Sequence, residues 1–508
     1  MSYFSQRQAT LQTNNIRLER EVTKGCHQGS GCGPGLWNLQ YNSLLNLNYT
    51  NRTKAIAYAD DMIIVTSGKT VREAENIPNI ELSKISFSAK DKIRFNEQKS
   101  KAMLLTRRKL RERKELEIYL NYKPLMQVYR LKYLGIILDN KLTFRDHIIA
   151  MTIKCSKLIF TLSKSAKLKW GLNYAALKTI YTEGTLPLLL YEAPVWINAN
   201  NQASYKLKIT RVQRLINIRL ARAYRTVSNE ALCLITGLIP IDIKIEETAQ
   251  LYQLTRGSRK EEAKIDQDMG IKHWLHPAVK ITILRDNNED SSTTQIFTDG
   301  SKSEQGVGAG IAVYRSGTHT KSLKYRLNER CTNNQAEHLE ILKSLEYIEN
   351  TQTTEKSVTI YTDSQTTIDS LQNRHIQTYL VEKIRQKAKE LEQTEWKIQF
   401  CWVKAHVGIP GKELTDTLGK EAATNLDIAE CYNMVPKSVV KLELEDRSVD
   451  KWQTDLNRST KGKITKDYFP IIAERLKMKI TTTHKFTTMV TGHGNINEYL
   501  YRFKISKT

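Results

Sequence analysis

The sequence predicts a multidomain protein of the α+β and α/β classes, in which a mixed β-sheet with flanking helices follows a largely helical region. Its 508 residues are enough for several domains of ordinary size. Residues 151 to about 255 repeat apolar positions at intervals of three and four, which is typical of helices. From about residue 295 the apolar period changes to two, which is typical of strands.

Residues 1–150 mix short β-like runs with one polar helical stretch. The three runs lie at residues 55–58, 62–66 and 133–138, and the helix lies near residues 70–90. Between the first two runs, the motif YADD predicts a β-hairpin with the carboxylates of Asp60 and Asp61 at its tip. On its own, this four-letter motif is as often an ordinary turn as part of a metal site.

Further motifs surround YADD: QGSGCGPGLWN at 28–38, NEQKSK at 96–101 and YLGIILD at 133–139. This series resembles the later palm motifs of non-LTR (LINE-type) reverse transcriptases, and it is most similar to the jockey-like group, which carries ribonuclease H behind the polymerase. Later segments resemble the thumb, connection and tail of such polyproteins: YEAPVW at 191–196, VQRLINIRLARAYRTVS at 212–228 and TGHGNINEYLYRF at 491–503. The resemblance implies a partial palm at 1–150, a helical thumb and connection at 151–284, and template RNA or DNA as a partner.

The same resemblance implies one more palm aspartate, on a strand before Gln28, as the metal-binding partner of Asp60. Only 27 residues precede Gln28 and none is Asp. We therefore expect a fragment that lacks the fingers and the first Asp motif, and whose polymerase is inactive. Residues 427–508 are expected to form a basic tail that ends before the family's Cys/His knuckle.

A polar, acidic stretch at 285–291 predicts a linker, and the domain behind it is expected to cover 292–426. Its periodicity predicts the order β-β-β-α-β-α-β-α. Thr332 and Gln335 stand in the capping-box positions of the first helix. The predicted strands include 295–298, 307–313, 358–362 and 396–403, the last with Trp396, Ile398, Phe400 and Trp402 on one face, and a charged helix is predicted near 377–391.

Four acidic residues of this domain stand where a sheet and its helices can bring them together. Asp299 ends the first strand in TDGS, and Asp363 ends the fourth in YTDSQ. Glu337 lies in the first turns of a helix in TNNQAE, and Asp416 lies in the last helix in GKELTD. Hydrolysis of a phosphodiester by two metal ions requires such converging carboxylates. Any one of them alone is more often a cap or turn residue.

In this order and context, the motifs of residues 295–423 resemble the type 1 ribonuclease H family. The resemblance implies that Asp299, Glu337, Asp363 and Asp416 bind metal. It also implies that His406, in HVGIPGKELTD, helps to move protons or release product. Asn333, Asn334 and Gln365 match residues that contact an RNA/DNA hybrid in its minor groove, where 2′-hydroxyls distinguish RNA from DNA.

The implied cofactor is a pair of Mg²⁺ ions, because hard carboxylate oxygens suit magnesium, and Mn²⁺ is the alternative. No small-molecule cofactor is expected. Two positions depart from the family pattern: Lys412 stands where Asn is usual, and Gly419 stands where Ala is common. Neither departure removes a metal-binding carboxylate.

The formal net charge is +24, and the basic excess lies outside residues 291–430, where acidic residues slightly outnumber basic ones. Such an excess favours a polyanionic partner, since Lys and Arg neutralise phosphates, although a generally solvated basic surface is the alternative. Hybrid affinity is therefore expected to come largely from the basic flanks.

The sequence shows no secretory signal and no apolar run long enough to span a membrane, which predicts an intracellular protein without a membrane partner. The sequence does not distinguish a nuclear from a cytoplasmic protein, and it does not predict the oligomeric state. Seven cysteines without a CxxC pair argue against a zinc site or a disulfide framework.

Three functions remain in competition. The first is an RNA/DNA-hybrid endoribonuclease that carries an inactive polymerase remnant, and the intact set of four acids favours it. The second is a non-enzymatic nucleic-acid-binding remnant. The third is an RNA-directed DNA polymerase whose N-terminal part is missing from this chain.

Overall fold

The structure is a computed structural model in which the chain divides into two compact units, Met1–Ala150 and Met151–Thr508. None of the helices within its described ranges combines the length and apolar character that a membrane crossing requires. The structure describes residues 7–13, 16–22, 29–89, 93–106, 115–165, 173–259, 261, 264–266, 283–284, 292–373, 375–376, 378–404 and 408–494.

The described residues up to Asp139 form two-stranded sheets and two helices. The strands are β1 (Gln8–Gln12), β2 (Arg17–Glu21), β3 (Thr53–Tyr58), β4 (Asp61–Thr66), β5 (Lys101–Ala102), β6 (Tyr119–Leu120), β7 (Lys123–Pro124), β8 (Met126–Gln127), β9 (Arg130–Tyr133) and β10 (Ile136–Asp139), and the helices are α1 (Gly33–Leu45) and α2 (Val71–Ala89). The single strand predicted over 133–138 is wrong. The chain reverses at Leu134 and Gly135, whose φ angles of 43° and 86° are left-handed, so β9 and β10 pair antiparallel.

A run of helices follows, in agreement with the period of three and four. These are α3 (Arg145–Ser165), α4 (Tyr174–Thr179), a π-helix (Ile180–Thr185), α5 (Leu186–Leu190), α6 (Ala193–Asn200), α7 (Ala203–Leu220), α8 (Asn229–Thr236) and α9 (Ile241–Thr255). Helix α8 has Ser228 as its N-cap and ends at Gly237, whose φ of 61° is typical of a helix C-terminus.

The second half of the chain contains a mixed sheet, in which the described residues form seven strands. Its strands are β11 (Ile283–Leu284), β12 (Thr294–Ser303), β13 (Gly306–Arg315), β14 (Thr318–Leu327), β15 (Ser357–Thr362), β16 (Lys397–Trp402) and β17 (Glu430–Tyr432), and its helices are α10 (Asn333–Glu349), α11 (Gln365–Gln372), α12 (Tyr379–Gln393) and α13 (Pro410–Thr424). The strand order is β11-β16-β15-β12-β13-β14-β17. Strands β12, β13 and β14 pair antiparallel, and β12, β15 and β16 pair parallel. The predicted mixed sheet is confirmed, whereas helix α11 was not predicted.

The two edge strands come from outside the predicted limits of 292–426. Strand β11 pairs with β16, and β17 pairs with β14. Asp266, which also precedes the predicted domain, accepts hydrogen bonds from Gln335 Nε2 at 3.1 Å and from the Tyr432 hydroxyl at 3.1 Å. The chain on both sides of the predicted domain therefore contributes to its packing.

Helices cover both faces of the central strands, so alternation along a strand does not separate buried from exposed residues. In β16, Ile398 through Cys401 are all buried, whereas Trp402 is 42% exposed. Trp402 is exposed because it is the last residue of the strand.

The C-terminal segment is folded rather than a simple tail. It forms helices α14 (Lys437–Arg458), α15 (Lys463–Tyr468), α16 (Ile472–Lys477) and α17 (His484–Thr491). Trp452, Phe469 and Val490 of this segment share one buried cluster with Leu232 and Ile235 of helix α8. The segment thus completes the core of the helical region.

Candidate active site

Two of the four predicted carboxylates are placed by neighbouring parallel strands. Phe297 of β12 lies opposite Tyr361 of β15, so Asp299 and Asp363, each two residues further on, emerge at the same end of the sheet. Asp299 does not end its strand as predicted, because β12 continues to Ser303 in its pairing with β13. Only the pairing with β15 ends before Asp299.

The other two carboxylates come from helices that approach this end of the sheet. Glu337 lies in α10, whose capping box of Thr332 and Gln335 is present as predicted. Asp416 lies in α13. All four carboxylates line one pocket of about 480 Å³, together with Asn333, Lys412 and neighbouring residues. The fold therefore brings together acids that are far apart in the chain.

Glycines allow the helices to approach so closely. A Cβ atom on Gly300 would lie 2.9 Å from the backbone nitrogen of Glu337. A Cβ atom on Gly310, which is paired with Asp299, would lie 2.4 Å from the Thr415 carbonyl oxygen of α13. Both distances are too short for a real Cβ contact, so these positions set the spacing between the sheet and the helices that carry Glu337 and Asp416.

Lys412 lies between two of the carboxylates. Its ammonium donates to the Thr298 carbonyl oxygen at 2.6 Å and to Asp299 Oδ1 at 3.2 Å, and it forms an ion pair with Asp363 Oδ1 at 2.9 Å. The Lys412 side chain is only 6% exposed. The lysine that replaces the family's usual asparagine thus places a positive charge inside the acidic pocket.

The remaining carboxylates accept hydrogen bonds from nearby side chains. Asn333 Nδ2 donates to Glu337 Oε1 at 2.7 Å, and the Ser364 hydroxyl donates to Glu337 Oε2. Asp416 forms an ion pair with Lys420 at 2.7 Å, but the Lys420 side chain is 63% exposed. Solvent screens that pair far more than the Lys412 contacts.

The electrostatics follow from burial and from the crowding of charges. Burial raises the pKa of Asp299 to about 6, the Lys412 ammonium opposes this rise, and the nearby Asp363 carboxylate adds to it. Burial acts to lower the pKa of Lys412, but Asp299, Glu340 and Asp363 together raise it above its usual value. Burial also raises the pKa of Glu340, a fully buried residue of α10, well above its ordinary range.

The oxygen donors of the pocket suit Mg²⁺, but their arrangement does not by itself form a complete cage. Within the described part of the chain, no three His, Cys, Asp or Glu side chains are grouped closely enough to hold one ion together. Lys412 adds a physical conflict, since its ammonium would repel a divalent ion bound close to it.

The other predicted site residues are distributed around this pocket. Asn333 lines it, and Asn334 is exposed on the next position of α10. Gln365 is exposed at the start of α11 and donates to Asp369 Oδ1 at 3.0 Å. His406 lies outside the described residues, because 405–407 are not among them.

In the first unit, Asp60 and Asp61 lie at the tip of the β3–β4 hairpin, as predicted, and both are exposed. Ala59 takes a left-handed φ of 51° at the turn. Trp37 Nε1 donates to the Ala59 carbonyl at 2.8 Å, and the Tyr41 hydroxyl donates to the Asp60 carbonyl at 3.1 Å. No third metal-ligating side chain joins the two aspartates among the residues that the structure describes.

Sequence reasoning missed three residues that shape the acidic pocket. Ser364 caps α11 and also donates to Glu337. Trp402 Nε1 donates to the Asp363 carbonyl oxygen at 2.9 Å and so supports the end of β15. In the sequence, Lys412 stands out only as a departure from the family pattern. The replacement of a neutral residue by a charged one at this position was the signal that could have identified its contact with the carboxylates.

Two family models match the chain in the predicted order. The model for reverse transcriptase (RNA-dependent DNA polymerase) matches residues 2–138. The model for RNase H matches residues 291–424, which include all four carboxylates of the pocket. The chain carries a reverse transcriptase region followed by an RNase H domain. The predicted fold class, with a mixed sheet and helices behind the reverse transcriptase region, is thereby confirmed.

Relatives of the two-domain chain come from insect retrotransposons. The putative 115 kDa protein in type-1 retrotransposable element R1DM of Drosophila melanogaster is 29% identical over 263 residues, which cover 51% of this chain and 25% of the relative. A Pol polyprotein from type-1 retrotransposable element R1 2 of Nasonia vitripennis is 28% identical over 248 residues. These residues cover 47% of this chain and 60% of the relative. The matches thus span from a quarter to three fifths of these curated relatives. The predicted resemblance to a LINE-type polyprotein is confirmed.

Among solved structures, RNase H1 from Halobacterium salinarum NRC-1 is 20% identical, and the match covers 25% of this chain and 96% of that one with a TM-score of 0.21. LC11-RNase H1, solved in complex with an RNA/DNA hybrid, is 17% identical, and the match covers 25% of this chain and 98% of that one with a TM-score of 0.22.

Proposed function

We propose that this chain hydrolyses the RNA strand of RNA/DNA hybrids in a reaction that depends on a divalent metal ion. The observation that carries the proposal is the gathering of Asp299, Glu337, Asp363 and Asp416 around one pocket of an RNase H domain. Mg²⁺ is the proposed ion, with Mn²⁺ as the alternative, because the pocket offers carboxylate oxygens.

When bound, the metal would supply the charge that activates water and stabilises the leaving oxygen. The chain's own residues prepare the site for it. Asn333 and Ser364 hold both oxygens of the Glu337 carboxylate in one orientation, and Trp402 fixes the backbone at Asp363. Lys412 restrains the two strand aspartates, so that three of the four acids are held in place before substrate arrives.

The partner that we propose is an RNA/DNA hybrid, with its minor groove facing Asn333, Asn334 and Gln365. Asn334 and Gln365 are exposed beside the pocket, so their amides are accessible to 2′-hydroxyls or base edges. His406 is proposed to assist proton movement or product release, on the resemblance alone.

The test is cleavage of a labelled RNA/DNA hybrid by the full chain with Mg²⁺. We expect cleavage of RNA in the hybrid but not of the same RNA as a single strand. Asp363→Asn should lower the rate by at least about 100-fold, because it removes one of the four converging carboxylates from the pocket. Asp446→Asn, an exposed position of α14, is the matched control and should cleave like the parent. Equal rates for Asp363→Asn and the parent would refute the site.

We further propose that the reverse transcriptase region of this chain does not extend primers. Asp60 lies in the turn and Asp61 begins β4, and among the described residues no third His, Cys, Asp or Glu side chain joins them in a metal site. Primer extension on an RNA template with Mg²⁺ and all four deoxynucleotides should therefore give no product. Templated extension that Asp60→Asn abolishes would favour the third function, the polymerase. Hybrid binding without cleavage or extension would favour the non-enzymatic remnant.

A further inference from the structure

Lys412 is the feature of the pocket that the proposed function leaves unexplained. We propose that its ammonium occupies one of the two cation positions expected at this site, so that the RNase H domain binds one divalent ion rather than two. This inference rests on the proposed function of the pocket, and it concerns how the acidic set is neutralised.

The first support is the position of the ammonium. Lys412 Nζ lies 2.9 Å from Asp363 Oδ1 and 3.2 Å from Asp299 Oδ1, so it bridges the two strand aspartates. Bridging two carboxylates is the role that a metal ion would have between them. An ion that used the same two oxygens would lie close to the ammonium, and the two positive charges would repel each other.

The second support is that the lysine is built into the fold. Its side chain is only 6% exposed, and its ammonium also donates to the Thr298 carbonyl at 2.6 Å. That third contact is to backbone inside β12, so it does not depend on how either aspartate is oriented. Moving the ammonium out of the pocket would leave this buried carbonyl without its donor, which is costly. The lysine is therefore expected to stay when a metal ion binds.

Lys420 provides an internal comparison. It also pairs with a carboxylate of the pocket, at 2.7 Å from Asp416, but its side chain is 63% exposed. Lys420 can turn into solvent at little cost, since exposed ion pairs contribute little. Asp416 and Glu337 are thus available to one ion, while Asp299 and Asp363 are partly neutralised by Lys412.

The experiment counts bound Mn²⁺ on the full chain by the loss of the electron paramagnetic resonance signal of free Mn²⁺ during titration. Ions that remain on a variant that combines Asp299→Asn, Glu337→Gln, Asp363→Asn and Asp416→Asn, and so lacks all four carboxylates of the pocket, are treated as background and subtracted. We expect one ion in the pocket of the parent and two in Lys412→Asn. The second ion of that variant should bind at least about tenfold more tightly than any second ion of the parent. Lys420→Gln, which also removes one positive charge, should still bind one.

Two ions in the parent pocket would overturn the inference, as would one ion in both the parent and Lys412→Asn. Two ions in Lys420→Gln would also overturn the inference. The number of bound ions would then depend on the net charge of the pocket and not on the position that the Lys412 ammonium occupies. If circular dichroism shows that Lys412→Asn is unfolded, Lys412→Gln replaces it, and the count for the parent still decides. A parent that binds one ion but cleaves no hybrid would refute the proposed function and leave this inference standing.

Discussion

Lys412 and His338 are basic side chains that the RNase H domain buries in opposite surroundings. Lys412 is surrounded by carboxylates, which stabilise its charge and raise its pKa despite burial. His338, on α10, has no hydrogen-bond partner for its Nε2 atom among the described residues, and burial lowers its pKa to about 4. The same degree of burial therefore keeps one group charged and the other neutral, because only one has counter-charges.

The low pKa of His338 predicts that the protein loses stability in mild acid. The unfolded state takes up a proton near pH 6.5, whereas the folded state does so only near pH 4. The free energy of unfolding should therefore fall as the pH drops below 6.5, by about 2 kcal/mol between pH 7 and pH 5 from this residue alone. Denaturant unfolding of the parent and of His338→Leu at both pH values tests this. Equal losses in the two proteins would contradict it, since the variant lacks the titrating group.

In strand β13, the sequence pattern predicts the strand but not the helix, α13, that packs against it. The alternation of Val307, Ala309 and Ile311 with glycines predicts a strand with one apolar face, and a strand forms there. Both of its faces are buried, because α13 packs on the side that carries Gly308 and Gly310. Gly308 and Gly310, which have no side chains, form the surface on which the helix that carries Asp416 packs.

Gly310→Ala is expected to damage both stability and cleavage. The added Cβ would lie 2.4 Å from the Thr415 carbonyl, so α13 must move away from β13 and carry Asp416 with it. Overpacking of this kind costs about 1 to 3 kcal/mol of unfolding free energy, and a shift of about 1 Å at the site lowers the cleavage rate by roughly 100-fold. Thermal unfolding and the hybrid assay measure the two effects. Gly184→Ala, where an added Cβ meets nothing within 4 Å, is the control and should neither lower the unfolding temperature nor slow cleavage.

At the scale of the whole molecule, the basic excess lies in the sequence before and after residues 291–430, which are nearly neutral. Helix α7 carries Lys and Arg but no acidic residue, and Arg211, Arg222 and Arg225 are exposed on it and just after it. Helix α14 in contrast alternates basic and acidic side chains on its exposed positions. Phosphate contacts are therefore expected on the surface of α7 rather than of α14.

Replacing Arg211, Arg222 and Arg225 with Gln should lower the affinity for the hybrid. It should also make that affinity less sensitive to salt concentration. Each phosphate contact that is lost should reduce the slope of log K against log salt by about 0.9 if the hybrid behaves like duplex DNA. Fluorescence anisotropy of a labelled hybrid at several salt concentrations measures that slope. The matched triple change of Lys437, Lys441 and Arg447 to Gln on α14 should leave it nearly unchanged. A slope equal to that of the parent in the α7 variant would place the phosphate contacts elsewhere.

The sequence by itself determined the features that depend on neighbouring residues. The capping box at Thr332, the hairpin at Asp60 and the strands and helices that carry the four acids follow from local period and local hydrogen bonding. Only the tertiary structure decided what fills the pocket and what completes the sheet. Lys412 reaches the Thr298 carbonyl across 114 residues and Asp299 across 113, and β11 and β17 join the sheet from beyond its predicted limits. Such contacts depend on how closely distant segments can approach, and no local pattern encodes that distance.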